Sequence, residues 1–457
     1  MINKKILLVA SAIFLIATAF AQDVLQPARA HFNKFDDVDG GWCAADGTIS
    51  YELPDGKTLW LFGDTFVGDK DGDFSIDNPT ATFVNNTAIL EDENGLMTYH
   101  GGTQENPSAF IPKQGEDWFW PKHMILEGDT LRIFTLKIKK KDNGTPGFNF
   151  EVGTAHISSF TYPDLEHVRT SRIEQITDTT MRFGTQVLEK DGYVYIYGKK
   201  TMTDGNFQWK IPYLARSEGS VTGPWEFYSG NGNWYPDCDS AAPIGDRPVG
   251  ETYYVWEENN EFYLLMHETF MVDELVVMKA DELTGPFNSY NSGGTENTFA
   301  IIEEAEDYNT YNLAAHPQFN ENDKLLISFN VNAHDFGSIY EDTRNYRGRF
   351  YWLDVEETAT ISQPDTVRIF TDFTGTSSRE ANETTNQQYI KVYGDRAQLR
   401  NLRNPAWLNV YGTSGQKYLS RQVRNGETVD FSQLPWQMFI LELITDDTVV
   451  TRKMMSQ

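Results

Sequence analysis

The chain has few of the features that define several common protein classes. Its 457 residues include only two cysteines, Cys43 and Cys238, so no disulfide framework holds the fold, although the two could pair in an exported protein. Beyond the N-terminal segment, no apolar run is long enough for a transmembrane helix. The sequence has no Gly-x-Ser-x-Gly, phosphate-loop, HExxH or Cys-x-x-Cys motif, which argues against esterase, kinase and zinc-protease activity.

Basic residues are also scarce. The chain has 38 lysines and arginines against 66 aspartates and glutamates, for a net charge of −28. Such a balance argues against nucleic acid or an anionic membrane as a partner, but an acidic surface by itself identifies no substrate. Aromatic residues are abundant at 14%. They suit sugar stacking, although packing within a β core is the more common use of an aromatic strand residue.

The N-terminus has the pattern of a secretory signal peptide. Lys4 and Lys5 precede an apolar run over residues 6–20, and Ala19-Phe20-Ala21 is a small-x-small cleavage site. We therefore predict a signal peptide over residues 1–21, and a protein that is secreted or displayed at the cell surface.

A turn followed by a short run of large apolar residues occurs five times. These runs end about 62 to 72 residues apart, at Phe62, Phe134, Tyr197, Leu265 and Ile327. A period of this length, with strands and no long helical pattern, is typical of propeller blades. A β-sandwich is the alternative, but it would not repeat at this interval. We predict an all-β fold, a five-bladed β-propeller over residues 32–355 followed by a small C-terminal β-sandwich.

The composition changes after Trp352. Residues 374–388 are polar and read as a linker, and residues 389–457 form a block of short strands. This block resembles the C-terminal sorting domain of type IX secretion substrates in Bacteroidetes, which implies the type IX machinery as a partner. Pro435-Trp436-Gln437 stands where a glycine usually precedes the aromatic residue. A carbohydrate-binding or spacer module is the alternative.

The most informative segment is a hairpin with a carboxylate at each open end. Asp46 and Asp64 flank two strands joined by the turn Pro54-Asp55-Gly56, so their side chains should meet at one end of the sheet. Two carboxylates in one place suit the hydrolysis of a glycosidic bond. They would also suit a metal site or the polar lining of a channel.

The other repeats place further polar residues at the same end. If the apolar runs are second strands, the innermost strands begin near Asp46, Lys122, Arg182, Glu251 and His316. The second strands then end near Asp64, Lys137, Lys199, Glu268 and Asn330, and Glu268 corresponds to Asp64. Charged groups therefore converge at one end of a central channel, although each could be structural.

Several motifs resemble bacterial propeller families known as domains of unknown function 4185 and 5005. The specific one is Gly41-Trp42 to Thr48 with Leu59 to Phe66; looser matches include Asn85-Asn86-Thr87, Phe119-Trp120-Pro121 and His316-Pro317. The first family is related to the endo-D-arabinofuranases of glycoside hydrolase family 183. The resemblance covers about residues 35–355. It implies a five-bladed propeller with carboxylates at the channel mouth, like those of furanosidases that act on arabinan or fructan.

These observations predict a glycoside hydrolase that acts on an arabinan-like, furanose-containing polysaccharide. Asp46 and Asp64 are the preferred catalytic pair, with Glu251 or Glu268 as a reserve acid. Lys122 and Arg182 are candidate substrate-binding residues, and one or the other would keep one carboxylate of the pair ionised. The candidate sugar-stacking residues are Trp42 and Trp120, and the candidate hydroxyl-binding residues are Asn86, His316 and Asn330. A non-catalytic surface glycan-binding propeller is the alternative, and an adhesion propeller is a third.

We expect a monomer that requires no cofactor and binds a polysaccharide or oligosaccharide. A calcium ion in the channel near His316 is an open alternative, since some furanosidase propellers carry one. The acidic segment from Asp69 to Asp77 looks like a calcium loop, but its glycine is misplaced and Thr80 occupies the twelfth position. We interpret it as a solvated turn.

Overall fold

The computed structural model describes most of the chain before residue 371 and parts of the chain after residue 389. The described ranges are 24–69, 74–76, 81–145, 148–205, 207–258, 260–267, 274–287, 298–303, 308–335, 337–358, 364–370, 390–393, 396–399, 402, 404–412, 417–431, 438–444 and 449–455. The predicted signal peptide, the predicted linker and most of the acidic segment after Asp69 lie outside them. In the described ranges, no helix has the length and apolar character needed to cross a membrane.

Five antiparallel-based sheets form five consecutive blades, as the repeat predicts. From the innermost strand outward, blade one contains Ile49–Glu52, Thr58–Phe62, Thr87–Asp92, Gly95–Tyr99 and Val38–Asp39. Blade two contains Trp118–Glu127, Thr130–Thr145, Phe148–Thr161 and His167–Arg172. Blade three contains Met181–Lys190, Tyr193–Asp204, Phe207–Glu218, Trp225–Tyr228 and Trp234–Tyr235.

Blades four and five complete the ring. Blade four contains Tyr253–Glu258, Glu261–His267, Glu274–Ala280, Thr298–Glu303 and Asp365–Arg368. Blade five contains Tyr308–Ala315, Lys324–Ala333, Gly348–Asp354 and Leu25–Pro27. Each innermost strand contacts the innermost strands of the two neighbouring blades, and blade five contacts blade one. The chain is therefore an all-β protein with a closed five-bladed propeller.

The earliest described strand closes the ring. Leu25–Pro27 pairs antiparallel with the end of Gly348–Asp354, so that Leu25 lies opposite Leu353. Blade five is thus built from both ends of the propeller sequence. This pairing ties the start of the propeller sequence to its last blade, which helps to hold the ring closed.

The hairpin turns explain why the repeat is visible in the sequence. A residue with positive φ precedes the second strand of every blade: Gly56, Gly128, Gly192, Asn260 and Asp323. Tight hairpin turns require this conformation, and glycine, asparagine and aspartate adopt it most readily. The large apolar residues that follow are buried between blades; Leu59, Leu61, Phe134, Ile196, Leu264 and Leu326 are examples.

The propeller also contains smaller sheets and short helices outside the five blades. Two further sheets consist of Trp42–Ala45 with Thr65–Val67 and Thr82–Val84, and of Gly101–Gly102 with Pro107–Ser108. The short α-helices are Arg29–Asn33, Ser338–Glu341 and Val355–Thr358. The 3-10 turns are Lys34–Asp36, Cys238–Ser240, Pro317–Phe319 and Thr343–Asn345.

The C-terminal block contains two sheets around one core. One sheet contains Ile390–Tyr393, Arg396–Leu399 and Thr428–Asp430; the other contains Lys417–Val423, Ala406–Gly412, Met438–Ile444 and Val449–Met455. Leu399 and Val429 of the first sheet share an apolar cluster with Leu408, Val423 and Leu441 of the second. This arrangement is the small β-sandwich that the sequence predicts.

The two cysteines do not pair. Cys43 lies in a cluster with Phe66 and Tyr346, whereas Cys238 belongs to the core beside blades two and three. Both cysteines are buried and neither forms a disulfide, so the propeller is held by its core and its ring closure.

Candidate active site at the channel mouth

The backbone brings Asp46 and Asp64 together where blade one begins. The amide of Asp46 donates to the carbonyl of Asp64 at 3.2 Å, and the amide of Gly63 donates to the carbonyl of Asp46 at 2.8 Å. Gly63 is needed for this approach, because a Cβ at that position would lie 2.4 Å from Asp46 Oδ1. We use "channel mouth" for this end of the ring, where most innermost strands begin and second strands end.

Tyrosine hydroxyls from blade five and the segment before its third strand hold Asp46. Tyr311 Oη donates to Asp46 Oδ2 at 2.9 Å, and the Tyr346 hydroxyl is also hydrogen-bonded to this carboxyl. Burial raises the pKa of Asp46, while the two tyrosines and the charge of Lys122 oppose that rise. These donors favour the ionised carboxylate.

Asp64 has a different environment. Trp120 Nε1 and Asn85 Nδ2 both donate to its Oδ1, at 3.1 and 3.4 Å. Among the described residues, none donates a hydrogen bond to its other oxygen, Oδ2. Burial, and then the charge of Asp46, raise the pKa of Asp64 to about 7. Near neutral pH the pair therefore places its proton on Asp64 and its negative charge on Asp46.

A basic group of side chains lies beside this pair on blades two and three. Lys199 Nζ donates to Glu251 Oε2 at 2.8 Å, and Lys210 Nζ contacts Glu251 Oε1. Although burial raises the pKa of Glu251, the charges of Lys199, Lys210 and Lys122 hold it well below its usual range. Glu251 is therefore a charged carboxylate, and in this state it has no proton to donate.

Lys122 lies in a β-bulge of the innermost strand of blade two, between Pro121 and Met124. Bulges re-aim side chains and are frequent next to active sites. The Lys122 residue is only 9% exposed, and its ammonium is within electrostatic range of Asp46 and Glu251. Arg182 is in range of Glu251, but its guanidinium donates to the carbonyls of Val152 (2.9 Å) and Gly153 (3.2 Å). Arg182 thus joins blades two and three and is not free to bind sugar hydroxyls.

Three of the predicted sugar-binding residues are structural. Asn86 is fully buried, and its side chain bonds to backbone groups of Ile111 and Phe119. Asn330 is also buried; it accepts from the amide of Gly47 and donates to Thr48 Oγ1, so it fixes the turn that follows Asp46. Trp42 is 1% exposed and packs in the core, where it is unavailable as a stacking surface.

His316 lies far from its predicted position. The innermost strand of blade five is Tyr308–Ala315, so His316 follows the strand and does not begin it. Its Nδ1 and Nε2 are hydrogen-bonded to the hydroxyls of Ser50 and Ser328, at 2.6 and 2.8 Å. With both ring nitrogens hydrogen-bonded to serine hydroxyls, His316 has no free ring nitrogen for a metal ion.

The structure thus gathers Asp46, Asp64, Trp120, Lys122 and Glu251 at the mouth, whereas Glu268 lies outside the described residues. Nothing in the sequence marked Tyr311 or Tyr346 as site residues. Asn85 belongs to a motif quoted above, beside Asn86, and it is the member of that motif that contacts Asp64.

Comparison with known proteins identifies the family. Residues 29–356 match the family model described as "Domain of unknown function (DUF5005)". The chain belongs to this family. Among proteins of curated function, none matches it significantly.

Solved structures support the fold of the DUF5005 domain. A Bacteroides ovatus protein, described provisionally as a hydrolase, is similar with a TM-score of 0.56 at 15% identity, over 73% of this chain and 91% of that one. A GH32 β-fructofuranosidase from Bombyx mori, solved with sucrose, has a TM-score of 0.40 at 13% identity, over 91% and 87% of the two chains. A GH43_1 enzyme from Xanthomonas citri, solved with xylotriose, has a TM-score of 0.38 at 10% identity, over 74% and 97%. The first similarity supports the fold of this chain and no conclusion about its function.

Proposed function

We propose that this propeller hydrolyses glycosidic bonds at its channel mouth, with Asp64 as the proton donor and Asp46 as the ionised partner. The observation that carries this proposal is the asymmetry of the pair. Asp46 accepts hydrogen bonds from two tyrosine hydroxyls, whereas Asp64 keeps Oδ2 without a donor and has a pKa of about 7. Glycoside hydrolysis needs this division between one acid and one carboxylate.

In the proposed reaction Asp64 Oδ2–H protonates the oxygen of the leaving sugar as the bond to the anomeric carbon breaks. Asp46 then acts in one of two ways: it bonds to that carbon directly, or it removes a proton from a water molecule that attacks it. Trp120, half-buried and hydrogen-bonded to Asp64, is placed to pack against the sugar ring. Glu251 receives no proton-donating role, because its charge is paired with Lys199 and Lys210.

Furanose-containing polysaccharides such as arabinan are the proposed substrates, since the family resemblance in the sequence points to furanosidases. The test is incubation with arabinan, arabinogalactan and fructan, followed by a reducing-sugar assay. Asp46→Asn and Asp64→Asn should each abolish product formation. Asp129→Asn is the matched control, because Asp129 is an exposed turn residue between the first two strands of blade two. Sugar binding without product in the wild-type protein would contradict catalysis and favour a glycan-binding propeller.

We also propose export, from the signal-peptide pattern over residues 1–21 and the β-sandwich that follows the propeller. N-terminal sequencing of the protein recovered outside the cytoplasm should begin at Gln22. Deletion of residues 389–457 should retain the protein in the periplasm if this sandwich is a type IX sorting domain. Normal release of the truncated protein would exclude that role.

A further inference from the structure

Apart from the effect of the Lys122 charge on Asp46, the basic group beside the channel mouth has no role in the proposed reaction. Lys122, Arg182, Lys199 and Lys210 all lie within electrostatic range of one carboxylate, Glu251. The charge of the chain as a whole is −28. Positive side chains are therefore grouped at one place in a protein whose net charge is negative.

Lys122 is the member of this group without a partner. Lys199 and Lys210 are both paired with Glu251, and Arg182 is hydrogen-bonded to backbone carbonyls. Lys122 as a residue is 9% exposed, and its ammonium makes no hydrogen bond or ion pair with any residue that the structure describes. Burial of an unpaired ammonium is costly, and buried charges in proteins are normally paired or hydrogen-bonded.

The charge of Lys122 acts on the proposed catalytic carboxylate Asp46. The ammonium interacts electrostatically with both Asp46 and Glu251. Both carboxylates already have other partners: Asp46 the two tyrosines, and Glu251 the two lysines. What Lys122 lacks is therefore a further oxyanion, which a bound ligand could supply.

We propose that the glycan bound at this site carries an acidic substituent, a uronate carboxylate or a sulfate ester, and that Lys122 binds it as the sugar enters beside Asp46. The inference rests on the proposed function for its location at the channel mouth. Lys199 and Lys210 provide the surrounding positive field, which Glu251 neutralises only in part. The acidic group would keep Lys122 charged and would select decorated glycans over neutral ones.

The test measures binding and not turnover. Calorimetric titrations of Asp64→Asn protein use three probes: an arabinogalactan that bears glucuronate, the same polymer after carbodiimide reduction of its carboxyl groups, and a sulfated galactan. We expect the acidic arabinogalactan or the sulfated galactan to bind at least tenfold more tightly than the reduced polymer, and the tighter of the two identifies the acidic group. Affinity should fall as salt is raised. Equal affinity for all three probes, or binding of none, would overturn the inference.

A variant assigns the effect to Lys122. Lys122→Met keeps the length of the side chain and removes its charge, and should abolish the preference for the acidic probe. Lys57→Met is the control, since Lys57 is a partly exposed residue that pairs with Asp55 in the turn of blade one. If Lys122→Met does not fold, Lys210→Met tests the same field with a half-buried residue. An unchanged preference in the folded variant would refute the assignment.

Hydrolysis is assayed separately, so the two proposals can fail independently. A protein that prefers the acidic probe but cleaves nothing would contradict the proposed function and leave this inference standing. A protein that cleaves neutral arabinan and binds the acidic and the reduced probes equally would support the proposed function and contradict this inference.

Discussion

Tyr311 Oη lies 2.9 Å from Asp46 Oδ2. A hydroxyl of blade five therefore holds a carboxylate that lies just before the first strand of blade one. Together with Tyr346, this hydrogen bond opposes the rise in pKa that burial imposes on Asp46. The charge state of the proposed base therefore depends on contact between the two ends of the ring.

Replacement of Tyr311 by Phe should move the acid limb of the pH–rate profile to higher pH. The lost hydrogen bond stabilised the ionised form of Asp46, so its pKa rises, and kcat/KM at neutral pH should fall by roughly 10-fold. Tyr197→Phe is the control, because it loses a buried hydrogen bond to Leu283 away from the carboxylates. A profile identical to that of the wild type would refute the role given to Tyr311.

The alkaline limb of the same profile should lie near pH 7, where Asp64 loses its proton. Trp120→Phe removes a donor to the Asp64 carboxylate and should raise the pKa of this group, so the limb should move to higher pH. The limb is read from kcat/KM between pH 5 and 10. Activity that stays constant up to pH 9 in the wild type would exclude Asp64 as the proton donor.

The shifted pKa of Asp64 also has a consequence for stability. Its folded pKa of about 7 is raised above the ordinary value of 3.8, so the folded state binds the proton more tightly than the unfolded state. Asp64 therefore favours unfolding progressively as pH rises from about 4 to 7. Asp64→Asn should raise the free energy of unfolding by about 1 to 3 kcal/mol at pH 8 and leave it nearly unchanged at pH 4. Denaturant titrations at the two pH values measure the difference; equal effects at both would contradict it.

Much of the fold could be predicted because its signals are local. Turns such as Gly56 and Gly192 need positive φ, and the apolar runs that follow them must be buried between blades. The same local logic placed Asp46 and Asp64 at the open end of one hairpin. The sequence could not predict which blade supplies the partners of these carboxylates, because Tyr311 and Tyr346 reach them only through ring closure.

The sugar-binding residues were harder to predict, because polarity in a strand does not reveal what the side chain contacts. Asn330 and Asn86 have the residue type of a hydroxyl-binding group, yet both bond to the protein itself. The predicted position of His316 was wrong for a different reason. The sequence repeat located blade five by its second strand, and the connection between its first two strands contains a short 3-10 turn. His316 therefore lies after the first strand and not at its start.

Asn330 should act on catalysis through Asp46 and not through contact with the substrate, so Asn330→Ala should impair turnover. The change removes the acceptor of the Gly47 amide and the donor to Thr48, which should loosen the turn after Asp46 and lower kcat by about 10-fold or more. Ser328→Ala, on the same strand but bonded to His316, is the matched control and should affect stability alone. Circular dichroism and steady-state kinetics on both variants separate the two effects. Equal losses of kcat would show that Asn330 acts only through stability.

The pairing of Leu25 with Leu353 sets an order of events during synthesis. Blade five cannot be completed until the chain beyond Gly348–Asp354 has been made, while Leu25–Pro27 must wait unpaired from the start. Since Tyr311 and Tyr346 meet Asp46 only in the closed ring, an unfinished chain can bring Asp46 and Asp64 together but lacks the two hydroxyls that hold Asp46. The proposed catalytic site is therefore complete only when the whole ring has closed.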